Sequence, residues 1–143
     1  MIVRPAESID RSACIDLLHE SHEAAGFTWP FLPDRAGLLF DLHCTSPLAC
    51  CLVLAADTVG GLLLASVFDH PFGAGFWAKE TVWYVTPSAR GRGAIRMLDA
   101  YEDWAKNRGC AVIGMASLAT NDVSSLYARR GYAPAETHFI KHI

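Results

Sequence analysis

The sequence predicts an α+β domain, and three observations carry the prediction. Segments with apolar residues at helical spacing flank a group of apolar strands. Those strands are separated by tight-turn sequences and so read as an antiparallel meander. At Pro87 the chain leaves the last of them through a glycine-containing loop into another helix. With 143 residues, 52% of them hydrophobic, the chain is long enough to bury a core and fits a single domain over residues 1–143.

Ile2 and Val3 open a short first strand. Ser8 stands where a helix cap belongs, ahead of Ile9, Ala13, Cys14, Leu17 and Leu18 at near-helical spacing, and the helix fades by Gly26. The stretch from Phe27 to Pro33 holds two prolines and three aromatics, which suit a shaped loop better than a helix. A second helix is expected from about Asp34 to His43. Cys50 to Ala56 is almost wholly apolar, and after Asp57-Thr58-Val59-Gly60 a second apolar run extends from Leu62 to Phe68, which makes a hairpin. His70-Pro71-Phe72-Gly73 turns the chain into a third strand, Phe76 to Val85.

Beyond Pro87, Ala94, Met97, Leu98, Tyr101 and Ala105 share one helical face, and Gly109 occupies the position favoured for glycine just past a helix end. Cys110 to Met115 reads as a buried strand. Asn121 or Asp122 is expected to cap a short helix from Val123 to Arg130 that Gly131 stops, and His138 to Ile143 reads as a final strand.

Composition excludes several functions. A net charge of -3 leaves no general basic field, so nucleic acid is not an expected partner. Met1-Ile2-Val3-Arg4-Pro5 lacks the pattern of a signal peptide, and Asp57, Gly60-Gly61 and Asp69 break the apolar runs before membrane-spanning length. A cytoplasmic protein without a membrane partner is expected. Five cysteines, Cys14, Cys44, Cys50, Cys51 and Cys110, are odd in number and lack a CxxC pair, which points to buried, reduced thiols. His19-Glu20-Ser21-His22 spaces its histidines three apart where HExxH needs four, so no metal is expected there.

The chemistry concentrates between Val82 and Ala94, where a strand runs through a turn into a helix. A helix N-terminus leaves N–H groups without intrahelical partners, and its dipole attracts anions. Gly91 and Gly93 lack the Cβ atoms that would hold a ligand away from the backbone, and Arg90 and Arg92 add positive charge. The arrangement suits a diphosphate. It is neither a P-loop nor a GxGxxG dinucleotide fingerprint.

These residues resemble the signature of the GNAT superfamily of N-acyltransferases: Val85 ending a strand, then Arg90 and Gly93, with Ile95 where the family usually has Gly or Ala. A second motif follows about 30 residues later, since Asn121, Leu126-Tyr127 and Gly131-Tyr132 look like the family's Asn, Leu-Tyr and Gly-aromatic pattern. The resemblance spans essentially the whole chain. It implies a GNAT-like fold, a central mixed and mostly antiparallel β-sheet flanked by about four helices. It also implies direct transfer of an acetyl group from acetyl-CoA to an amine on a small molecule or a protein, and homodimers are common in the family.

By the same resemblance Arg90, Gly91, Arg92, Gly93, Ala94 and Ile95 hold the CoA pyrophosphate. A backbone N–H at Tyr84 or Val85 faces the thioester oxygen where that strand splays from the one beginning at Cys110. Tyr127 matches the general acid for the departing thiolate, with core packing beside Val123 as the alternative. Glu80 is the candidate base if a bulge keeps it in register, and otherwise a carboxylate paired with Lys79 or an arginine. Asn121 is a further cofactor contact or a helix cap. Phe27, Trp29, Phe31, His70 and Phe72 are candidates for the acceptor pocket. An acyl-CoA-binding module without catalysis, serving regulation or interaction, is the rival function, motivated by Ile95 and the register of Glu80.

Overall fold

The computed structural model describes residues 1–143. The elements are β1 (Ile2–Pro5), α1 (Arg11–Ala24), α2 (Pro33–Thr45), β2 (Ala49–Ala55), β3 (Val59–Asp69), β4 (Phe76–Val85), α3 (Arg92–Asn107), β5 (Cys110–Gly114) and α4 (Ser124–Arg129). The sheet runs β1-β2-β3-β4-β5, antiparallel throughout except for the parallel pairing of β4 with β5. That parallel pair requires a crossover, and α3 supplies it.

Helices cover both faces of the sheet. Leu63 and Ala65 of β3, with Leu52 and Leu54 of β2, pack toward Met97, Tyr101 and Ala105 of α3. Leu62 and Leu64, with Cys51 and Val53, pack toward Cys14, Leu17 and Leu18 of α1 and Phe40 of α2. A strand buried on both faces has no use for alternation, which is why β2 and β3 read as continuous apolar runs.

Several expectations change at the element ends. Ser8 caps nothing. The chain enters α1 through a 3₁₀ turn in which the Asp10 carboxylate accepts the Glu7 N–H at 2.8 Å and pairs with Arg4 at 2.7 Å, while Ile9 is 83% exposed. At α4 the carboxylate of Asp122 accepts the Ser124 N–H at 2.9 Å, whereas Asn121 only bridges to Leu118. Only Cys14 and Cys51 are buried; Cys44 is exposed, and Cys50 and Cys110 lie between.

The strand expected at His138–Ile143 does not form, and residues 133–143 have no regular structure. A strand needs a partner ladder, and this segment is instead held by side chains. Glu136 pairs with Lys79 at 3.3 Å, and the His142 ring lies 5.3 Å from that of Trp29. No helix is long and apolar enough to cross a membrane.

Candidate active site

The loop after β4 delivers a helix terminus with unpaired donors. Gly91 precedes α3 with φ +80, a left-handed backbone that favours glycine. The first hydrogen bond of the helix runs from Ile95 N–H to Gly91 O at 3.2 Å, and no protein acceptor meets the N–H groups of Arg92, Gly93 and Ala94. The free donors therefore end at Ala94, and the N–H of Ile95, expected among them, belongs to the helix. Arg90 folds back, its Nε donating to Val85 O at 3.1 Å, while Arg92 is exposed.

Gly93 has a different reason for being glycine than the sequence suggested. A Cβ there would lie 2.6 Å from Cδ2 of Leu54 on β2, so the missing side chain lets α3 sit close on the sheet. This close approach places the free N–H groups directly beyond the C-terminal end of β4.

β4 parts from β5 along its second half. The parallel register pairs Phe76 through Lys79 with Cys110 through Gly114 and goes no further, which leaves Glu80 to Val85 without a partner on that side. Hydrogen-bonded and non-hydrogen-bonded pairs alternate in an antiparallel ladder. The Thr86 N–H bonds Gly60 O at 2.9 Å, and the register continues Val85↔Gly61 and Tyr84↔Leu62. The main chain of Val85 thus faces the opening, as its carbonyl bond to Arg90 also indicates, while that of Tyr84 faces β3. Of the two expected donors to an oxyanion, Val85 has the open N–H. The Tyr84 hydroxyl turns to the α1 side and meets Glu20 at 3.2 Å.

A bulge interrupts β4 beside Glu80. Leu64 pairs with Val82 and Ala65 with Glu80, so Thr81 is the extra residue. His43 of α2 fastens it. The ring is buried, its Nδ1 donates to Leu39 O at 2.8 Å, and its Nε2 meets the Thr81 hydroxyl at 2.9 Å and Ser66 at 3.4 Å. After the bulge, Trp83 and Val85 share the α3 face with Ala78.

Glu80 neither pairs with Lys79, which binds Glu136, nor meets an arginine. Its Oε1 accepts the N–H of Ala116 at 2.9 Å. Burial raises its carboxyl above the ordinary value, and the Ala116 bond opposes that shift. The hydroxyl of Tyr127 donates to the carbonyl of the same Ala116 at 2.7 Å. Tyr127 is 7% exposed, and burial, with the charge of Glu80 adding to it, raises its phenol.

Tyr127 is held by the way α4 ends. Tyr132 N–H bonds Tyr127 O at 3.0 Å and Gly131 N–H bonds Ala128 O at 3.1 Å, with Gly131 at φ +89, which together form a Schellman motif. The rings of Tyr127 and Tyr132 lie 5.6 Å apart, and Arg130 ties the helix to Glu102 and Asp99 of α3. The Trp83 ring is 6.2 Å from Tyr127, and its buried Nε1–H has no partner, an unspent donor beside the opening.

On the opposite face of β4 a cavity of about 460 Å³ opens between α1, the following loop and α2, reaching Val82. Of the candidates for an acceptor pocket, Phe27, Trp29 and Phe31 line this cavity; His70 and Phe72 do not. Phe72 is 95% exposed in the β3–β4 turn, and His70 stacks on Trp77 at the far end of β4.

A mixed sheet parted between its two parallel strands, with a helix N-terminus at the foot of the opening, is the architecture of an acyltransferase. Residues 13–132 match the model of the acetyltransferase (GNAT) family, and the chain belongs to that family of enzymes. No curated protein matches it by sequence. Among solved structures, a transcriptional regulator from Bacillus halodurans C-125 is similar with TM-score 0.82 at 17% identity, over 99% of this chain and 98% of that one. A predicted acetyltransferase from Clostridium acetobutylicum, solved with acetyl-CoA, has TM-score 0.80 at 18% identity, over 98% and 94%. An aminoglycoside 6'-N-acetyltransferase from Acinetobacter haemolyticus has TM-score 0.76 at 19% identity, over 100% and 99%. At these identities the likeness is one of fold.

The structure thus brings Glu80, Val85 and Tyr127 to one opening and puts the free N–H groups of Arg92 to Ala94 at its end. Asn121 is exposed, and neither it nor Asp122 is the helix cap, which is Val123; the Asp122 carboxylate accepts the N–H of Ser124, the first residue of α4. Sequence reasoning missed His43, Thr81, Trp83 and Ala116. A histidine late in an amphipathic helix and an alanine after a strand carry no motif, so only their spatial partners reveal them.

Proposed function

We propose that the protein transfers an acetyl group from acetyl-CoA directly to an amine while both are bound. The observation that carries this reading is the parting of β4 from β5 beside a helix start with three unpaired N–H groups. Acetyl-CoA supplies the activated thioester carbon. The N–H groups of Arg92, Gly93 and Ala94, with the charge of Arg92 nearby, suit its pyrophosphate. The N–H of Val85 is an open donor for the thioester oxygen as that oxygen gains charge.

A lysine-like amine, with a pKa of about 10.4, is neutral in only about one molecule in 2,500 at pH 7, a handicap of roughly 4.6 kcal/mol. Glu80, half-buried with a raised pKa, is suited to accept the amine's proton, directly or through water. The N–C bond then forms, the C–S bond breaks, and CoA leaves as a thiol once its sulfur is protonated. Tyr127 is suited to stabilise that sulfur by hydrogen bonding. With its phenol raised, full proton donation to a thiolate is uphill.

The test is thiol release from acetyl-CoA against a panel of amines, with acetyl-CoA binding measured separately by calorimetry. Amine-dependent release supports transfer. Binding without release against every amine would overturn it in favour of an acyl-CoA-binding module.

A further inference from the structure

The acceptor's chemical class can be read from the cavity at Val82, given the transfer reading on which this rests. About 460 Å³ is the volume of a small-molecule site. Its walls are apolar and aromatic: Phe27 and Trp29 stack with centroids 4.4 Å apart, and Phe31 stacks on His19 at 4.5 Å. His22 Nε2 donates to Trp29 O at 2.7 Å, which holds the loop closed against α1.

The charge on this lining has one sign. No Asp or Glu lines the cavity; the titratable residues that do are His22 and Arg35. Arg35, in the first turn of α2, makes no ion pair or side-chain hydrogen bond, unlike Arg11, which binds Asp41 on the same helix at 2.8 Å. A polycationic acceptor would have to leave water for a wall with no carboxylate to receive it. An aromatic body would replace water against Phe27, Trp29 and Phe31, and a carboxylate would give Arg35 the bidentate partner its geometry favours.

We propose that the acceptor is a monoamine with an aromatic body and a carboxylate, of the aromatic amino acid class, and that polycationic amines are not substrates. The carboxylate binds Arg35, the ring occupies the cavity, and the amine is presented toward β4. At the edge of β4 that has no β5 partner, Glu80 to Val85, its nitrogen forms the amide bond as the thioester C–S bond breaks, its proton passing through water to Glu80 on the other face of the strand and the sulfur leaving as CoA thiol.

The experiment compares L-tryptophan, tryptamine and kanamycin as acceptors for the full chain with acetyl-CoA, together with direct calorimetric binding of each amine. The expected order of kcat/KM is L-tryptophan first, tryptamine lower by about ten-fold or more for want of the charged contact, and kanamycin without turnover. Arg35→Glu should remove the preference of L-tryptophan over tryptamine, and Phe31→Ala should weaken binding of both. Equal use of tryptamine and L-tryptophan, turnover of kanamycin, or an unchanged preference in Arg35→Glu would overturn the proposal. If L-tryptophan binds in the expected order but no amine releases thiol, the class of ligand stands and the transfer reading falls.

Discussion

Glu80 and Tyr127, on separate elements, are fastened to the two main-chain groups of one residue: the carboxylate accepts the Ala116 N–H at 2.9 Å and the phenol donates to the Ala116 carbonyl at 2.7 Å. Ala116 follows β5 at the point where that strand has left β4. The base candidate and the sulfur-binding candidate are thereby set on one side of the same opening. For Tyr127 to donate elsewhere it must release Ala116, because a hydroxyl has only one proton to give.

The raised Glu80 carboxyl predicts where activity fails in acid. A general base must be ionised, so the acidic limb of the kcat/KM profile should lie above the ordinary carboxylate range. Glu80→Gln should abolish that limb and lower kcat by about 10²–10⁴-fold. Full activity across the profile would end the assignment of Glu80 as base.

The same shift has the opposite consequence for stability. A folded-state pKa above the unfolded value means that the folded chain holds the proton more tightly, so this contribution is fully present below the unfolded pKa and is lost as pH rises through the folded one. Glu80→Gln, which still accepts the Ala116 N–H, should therefore melt no lower than the parent at neutral pH. Its advantage should shrink as pH falls through the raised folded pKa and be gone below the unfolded value of about 4.3. Thermal melts of both proteins across that interval check this.

Tyr127→Phe should bind acetyl-CoA as before and turn over slowly. Loss of one hydrogen bond, to Ala116, costs about 0.5–1.5 kcal/mol, which a melting curve can separate from the kinetic effect. Turnover equal to the parent's would leave Tyr127 as a packing residue.

At Gly93 the prediction concerns packing. Gly93→Ala forces a methyl group against Leu54 and should destabilise the fold by about 1–3 kcal/mol, lifting α3 and raising the KM for acetyl-CoA. Adding Leu54→Ala makes room, so the double variant should lose less than the sum of the single losses. Strict additivity would show that the two sites do not meet.

His43 bonds the Thr81 hydroxyl in the bulge beside Glu80, and a positioning role is expected from that contact. His43→Ala frees the bulge and should lower kcat with little change in the KM for acetyl-CoA. His43→Gln, which retains a donor and an acceptor, should restore part of the loss. A role in folding alone would lower the melting temperature without altering the pH profile of the remaining activity.

The legible parts of the fold are those with local causes. The apolar runs of β2 and β3, the buried face of α3 at Met97, Leu98, Tyr101 and Ala105, and the glycine at position 109 (φ +76) all follow from periodicity and backbone conformation. The segment after residue 132 was illegible for the converse reason. Phe139, Ile140 and Ile143 are apolar, but a strand exists only with a partner, and none pairs with it. The packing reason for Gly93 is not legible in sequence, because its neighbour Leu54 is distant along the chain.

The sequence by itself determined the family, the helix-start loop read as Arg90 to Ile95, and Tyr127 with the Gly131 that ends its helix, since each is written in consecutive residues. Tertiary structure alone decided that β4 parts from β5 after Lys79, that a bulge at Thr81 puts Glu80 opposite Ala65 on the α3 face, and that Val85 rather than Tyr84 presents the open N–H. The physical reason is that these depend on hydrogen bonds between strands, whose register is set by the packing of both sheet faces and not by any one segment.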